Sequence, residues 1–125
     1  MNFLDNLFLI QSITETQDGF EAVLLCNPEH PVYKSHFPGN PITPGACLLQ
    51  TAGLLMQEKM GRPLFLKMSR NIKYLSLLIP AEGKEVKFIF SHVVTGETEC
   101  KAQVVIADSN TVYTKMSLTF SYERL

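Results

Sequence analysis

"TPGACLLQTAGLLMQEKMG", Thr43 to Gly61, reads as one helix with both of its ends marked. Thr43 suits the capping position, Pro44 suits the first helical residue because it has no amide proton to lose, and Gly61 followed by Pro63 makes a strong stop. The expected span is Pro44 to Met60, roughly 25 Å long. Ala46, Leu48, Leu49, Ala52, Leu54, Leu55 and Met56 leave it apolar almost all round until Gln57, Glu58 and Lys59. A helix of that kind must be buried on most sides, so the rest of the chain has to wrap around it.

The flanking segments supply the wrapper. Before the helix, "LFLIQSITET" and "FEAVLLC" are rich in apolar and β-branched residues, and Gln17 to Gly19 between them provides turn chemistry, so they read as a β-hairpin. After it, "PLFLKMSRNIKYLSLLI" reads as one long or bent strand, followed by "EVKFIFSHVV", "ECKAQVVIA" and "TVYTKMSLTFSY", with "TGET" and "ADSN" as turns. In the last of these, Val112, Thr114, Met116, Leu118, Phe120 and Tyr122 share one face, and Thr111, Tyr113, Lys115, Ser117, Thr119 and Ser121 the other. The economical architecture is α+β, an antiparallel sheet curled around one central helix, with residues 1–125 as a single domain.

Composition narrows the function classes. Hydrophobic residues make up 46% of the 125, charged residues 18%, and the formal net charge is -1, so neither disorder nor a nucleic-acid-binding field is expected. Cys26, Cys47 and Cys100 are odd in number, widely spaced and set in apolar runs, which fits neither a disulfide framework nor a metal motif; they read as small core residues. "MNFLDNLFLI" lacks a basic start and is interrupted by Asp5 and Asn6, and no apolar run reaches about 18 residues. A cytoplasmic protein with no membrane partner is the expectation.

Directly before the helix stands "HFPGNPITPG", His36 to Gly45, three prolines and two glycines around one histidine. This stretch resembles the "HFPG-x-P-x-x-PG" signature of the hot-dog 3-hydroxyacyl-[acyl-carrier-protein] dehydratases. "RNIKYLSLLIPAEGKEV", Arg70 to Val86, is similar to the strand, proline and loop that follow the helix in that family. The resemblance implies a hot-dog fold and removal of water from a 3-hydroxyacyl thioester. It implies that His36 is the base taking a proton from the carbon beside the thioester, and that the Gly45 amide holds the thioester oxygen. Gly45 would also do so on physical grounds, since amide protons in a first helical turn have no intrahelical partner and the helix dipole favours negative charge there. The family's third residue, an acid fourteen positions after the histidine, is here Gln50. An amide donates and accepts hydrogen bonds but supplies no proton at neutral pH, so the general acid is missing from its expected place.

The remaining candidates follow from these. Pro38 fixes one dihedral and Gly39 permits a positive one, a stiffness that would hold an imidazole in place, and Phe37, Pro38, Gly39, Cys47 and Leu54 are the expected substrate-binding residues. Cys47 and Leu54 flank Gln50 at three- and four-residue spacing. His30 and His92 read as structural or surface histidines. Lys67, Arg70 and Lys73 form a basic segment suited to an acidic carrier helix or a coenzyme A phosphate, and serve equally well as exposed strand charges. The expected function is a 3-hydroxyacyl-thioester dehydratase of fatty acid, polyene or polyketide biosynthesis, without metal or cofactor, with acyl carrier protein or coenzyme A as the thioester carrier. It would be at least a homodimer, because a small sheet alone leaves an edge strand open. The alternatives are an acyl thioesterase, a non-catalytic acyl-binding module, or one half of a heterodimer whose partner supplies the acid.

Overall fold

The computed structural model of the protein describes residues 5–35 and 38–124. Its elements in chain order are β1 (Phe8–Glu15), β2 (Phe20–Cys26), α1 (Val32–Ser35), α2 (Gly45–Met60), β3 (Phe65–Tyr74), β4 (Glu85–Thr95), β5 (Glu99–Ala107) and β6 (Val112–Ser121). The six strands form one sheet in the order β1-β2-β4-β5-β6-β3, and every neighbouring pair is antiparallel. The hairpin β1–β2 and the meander β4–β5–β6 are local pairings. By contrast β3, which follows α2 directly, pairs with β6 at one edge of the sheet.

Period-two alternation decides which face is covered. Phe20, Ala22, Leu24 and Cys26 of β2 are buried, as are Val86, Phe88 and Phe90 of β4, Ala102, Val104 and Ile106 of β5, and Met116, Leu118 and Phe120 of β6. Together with Leu48, Ala52, Leu55 and Met56 of α2 they make one core. Phe20 and Phe90 stack with centroids 4.2 Å apart, which joins β2 to β4 at its centre. This helix wrapped by an antiparallel sheet is the hot-dog architecture that the motif implied. Gly19 explains the tightness of the first hairpin: a Cβ there would lie 1.9 Å from the Phe90 carbonyl oxygen, so no other residue lets the turn approach β4 so closely.

The helix is buried or half-buried on most sides, as expected, with Ala46, Gln50, Leu54 and Glu58 exposed along one stripe. Two expectations need correcting. Thr43 is not the cap: Pro44 occupies that position in extended conformation, with no side-chain hydrogen bond to the helix. Finally, the strand after α2 stops at Tyr74 rather than running to Ile79. It carries two register shifts, one between Arg70 and Lys73 where Asn71 has φ 53°, and β4 has a matching irregularity between Ser91 and Val94 where His92 has φ 51°. An extra residue in the left-handed region bends a strand and sharpens its twist. Gly61 ends α2 as expected, at φ 69° with its N–H donating to the Gln57 carbonyl.

Candidate active site

His36 and Phe37 lie outside the described residues, so the site is built from what surrounds them. On the N-terminal side stands α1, a four-residue helix with no signal in the sequence strong enough to call it. His30 precedes it, buried, and its Nδ1 accepts the Val32 N–H at 3.0 Å. This is the structural role expected of His30. On the C-terminal side Pro38, Gly39 and Asn40 are exposed, with Gly39 at φ 82°, the positive dihedral expected of it. The chain then enters α2 at Gly45.

Gly45 is the first residue of α2, in the turn whose amides have no intrahelical acceptor. The Tyr74 ring at the end of β3 lies across it: a Cβ on Gly45 would be 2.5 Å from Tyr74 Cζ and 2.7 Å from its hydroxyl oxygen. A side chain at Gly45 would have to push the exposed Tyr74 ring aside, and Tyr74 joins the candidate site. Sequence reasoning missed it because only tertiary structure brings the end of β3 to the start of α2.

Gln50 lies on the open stripe of α2, in a groove of about 440 Å³ lined by Ala46, Leu49, Gly53, Leu54, Leu66 and Phe120 among others. The groove runs between α2 and the edge strand β3. None of its described lining residues is acidic, so none of them replaces the carboxylate that Gln50 lacks. Gln57, at its end, is tied down by the Leu64 N–H donating to its Oε1 at 2.8 Å. Leu54 shares this groove with Gln50 as expected; Cys47 does not. Cys47 is buried against Leu7, Val32 and Tyr33, and burial raises its thiol pKa, the opposite of what a nucleophile needs. Cys26 and Cys100 are likewise free, buried and raised.

The basic segment divides. Lys67 and Arg70 line a second groove, on the outer face of the sheet, with His92 and Lys101; Lys73 does not line it. Lys67 is paired with Glu99 at 2.8 Å, which holds that carboxyl below its ordinary range, and Lys101 reaches the same carboxylate at 3.9 Å. Arg70 has no carboxylate partner among the described residues; its Nε donates to Met68 Sδ.

The comparisons with known proteins agree with this geometry. The family model described as "ApeI-like: ApeI dehydratase" matches residues 12–109. A 3-hydroxyacyl-[acyl-carrier-protein] dehydratase, FabZ, of Acetivibrio thermocellus is 28% identical over 107 residues, covering 77% of this chain and 73% of that one. Among solved structures, the yhdA protein of Lactococcus lactis, described as a candidate thioesterase, superposes with a TM-score of 0.69 at 18% identity over the full length of both chains. The dehydratase heterocomplex ApeI:P from Xenorhabdus doucetiae does so with a TM-score of 0.67 at 13% identity, over 91% of this chain and 97% of that one. At these identities the two structures speak to the fold, and the family model, matched over more than half of the sequence, speaks to descent. The chain belongs to the ApeI-like dehydratase family and has its hot-dog fold.

Proposed function

We propose that this protein removes water from a 3-hydroxyacyl thioester, carried on acyl carrier protein or coenzyme A, to give the trans-2-enoyl thioester in fatty acid or polyene biosynthesis. The observation that carries the reading is the start of α2, where the Gly45 amide closes the "HFPGNPITPG" motif beside an apolar groove. His36 takes the proton from the carbon next to the thioester. The Gly45 N–H donates to the thioester oxygen as negative charge builds on it, and the helix dipole adds to that stabilisation. The bond from the β-carbon to its hydroxyl then breaks, and the hydroxyl leaves as water once it receives a proton. Gln50 orients the departing hydroxyl, and the protonated His36 imidazole returns its proton to it. The groove takes the first carbons of the acyl chain.

The site is completed by a second chain. β3 is an edge strand whose outward backbone groups are unpaired in a single chain, and it carries Leu66 and Met68 at 42% and 40% exposure. Two copies joined along β3 cover these side chains and bring Gln50 of one near the motif loop of the other. The absence of an acid from the groove favours a second arrangement, in which the partner is a related subunit bearing the carboxyl group. Lys67, Arg70 and Lys73 are the residues offered to the acidic carrier.

The test is to offer the purified protein a 3-hydroxyacyl carrier thioester and identify the product. An enoyl thioester supports the reading. Free acid and free thiol instead would establish a thioesterase, and binding without turnover, alone or mixed with a related acid-bearing subunit, would establish a binding module.

A further inference from the structure

The groove on the outer face of the sheet, about 350 Å³ in volume, is built by strand register. Arg70 of β3 stands opposite Ser117 of β6, which stands opposite Gln103 of β5, and Met68, Thr119 and Lys101 make the neighbouring row. Partners in a row point to the same face, on strands about 4.8 Å apart. In both rows a short hydroxyl side chain lies between two long ones, so β6 is the floor of a trough and β3 and β5 are its walls. The irregularities between Arg70 and Lys73 in β3 and between Ser91 and Val94 in β4 bend the sheet around it.

The charge in the trough is one-sided. Lys67, Arg70 and Lys101 line it against one carboxylate among the described residues, Glu99, which the two lysines share. The terminal N–H groups of Arg70, the Ser117 and Thr119 hydroxyls and the Gln103 amide have no hydrogen-bond partner among the described residues. A concave surface lined by one sign of charge concentrates counter-ions. Every one of these groups can donate a hydrogen bond, so the matching ligand is an anion with several acceptor oxygens. A phosphomonoester carries a charge of about -1.5 to -2 at neutral pH and three such oxygens, two of which a guanidinium grips at once.

We propose that this trough binds a phosphomonoester of nucleotide size, gripped by Arg70 over the Ser117 and Thr119 hydroxyls, with Lys67 and Lys101 supplying charge. Its volume is at the small end of ligand pockets. An acidic carrier asks only for exposed cations, and Lys73 would serve it as well as Arg70 does; the trough leaves Lys73 out and adds neutral donors. It lies on the face of the sheet away from α2, so the inference does not depend on the function proposed above.

The experiment is a calorimetric titration of the purified protein with adenosine 3′-monophosphate, with adenosine and inorganic phosphate as separate arms. The nucleotide should bind with a Kd below about 1 mM, inorganic phosphate more weakly through the same residues, and adenosine not at all. Arg70→Lys keeps the charge and loses the fork, so it should weaken nucleotide binding about fivefold, and Arg70→Gln about tenfold. Ser117→Ala should weaken it about threefold. Lys115 is exposed on the same face of β6 but does not line the trough, so Lys115→Gln removes the same charge and should change Kd less than about twofold. Equal weakening by Lys115→Gln and Arg70→Gln would reveal a diffuse field and overturn the proposal. Adenosine or inorganic phosphate binding as tightly as the nucleotide would overturn it too, as would no nucleotide binding below about 10 mM. If the nucleotide does not bind and Arg70→Gln instead weakens binding of acyl carrier protein, the face docks a protein and the proposal falls. Should a melting curve show Arg70→Gln unfolded, Arg70→Lys and Ser117→Ala decide by the same titration.

Discussion

The two long faces of α2 are both apolar in sequence and have opposite fates. Leu48, Ala52, Leu55 and Met56 are sealed against β2, β4, β5 and β6 at 3% exposure or less. On the other side Ala46, Leu49, Gln50, Gly53 and Leu54 look into an open groove beside the edge strand β3. The sealed face contributes stability; the open face carries the one polar group placed where the family keeps its acid. Apolar residues left uncovered in a contiguous stripe mark a surface that something else covers, and here the candidates are a second chain and an acyl group.

The contrast breaks most visibly in the core. Phe88 is fully buried and meets Phe8 edge-on at 5.8 Å, so Phe88→Ala should lower the unfolding free energy by about 3–5 kcal/mol in a denaturant titration. On the open side Leu66→Asp should leave the stability of a single chain within about 0.5 kcal/mol, since the side chain is already half in water. Sedimentation equilibrium should nevertheless show it shifted from dimer toward the 14.1 kDa single chain. A Leu66→Asp protein that stays dimeric would mean that β3 is not where the chains meet.

Gln50→Glu sharpens the comparison at the level of chemistry. Gln50 is exposed and has no hydrogen-bond partner among the described residues, so an acid there should cost little stability. If the groove keeps dehydratase geometry, turnover should rise several-fold as a proton donor returns. A fall in rate with the fold intact would show that the amide itself has a task, such as holding a water.

The smallest expected effect lies away from the site, in the turn between β5 and β6. The Tyr113 hydroxyl and the backbone N–H groups of Asn110 and Thr111 donate to the Asp108 carboxylate and hold its pKa below the ordinary value. A depressed carboxyl contributes stability that is present above its unfolded pKa and is lost as pH falls through its folded one. Melting temperature should therefore decline in acid below about pH 4, and Asp108→Asn should flatten part of that decline.

How far the sequence could be read follows the same division. Alternation in β6 was legible because the face from Thr114 to Phe120 is covered by the chain's own helix, so period two maps onto burial there. The edge strand was legible as a strand, but its end at Tyr74 was not. "FLKMSRNIKY" is mostly exposed, carries two irregularities, and has no single buried face to impose a period. Gly45 was legible at the helix start because proline and glycine mark that boundary chemically. Tyr74 was not, since it gains its meaning from a residue brought near by the fold.

The central claim is that the motif loop serves a base acting on a thioester held at the start of α2. Its most direct test is hydration of a crotonyl thioester by wild type and by His36→Ala, with melting curves beside them. The account predicts a folded variant whose rate is lower by about two to four decades. A folded His36→Ala protein as active as wild type would contradict it.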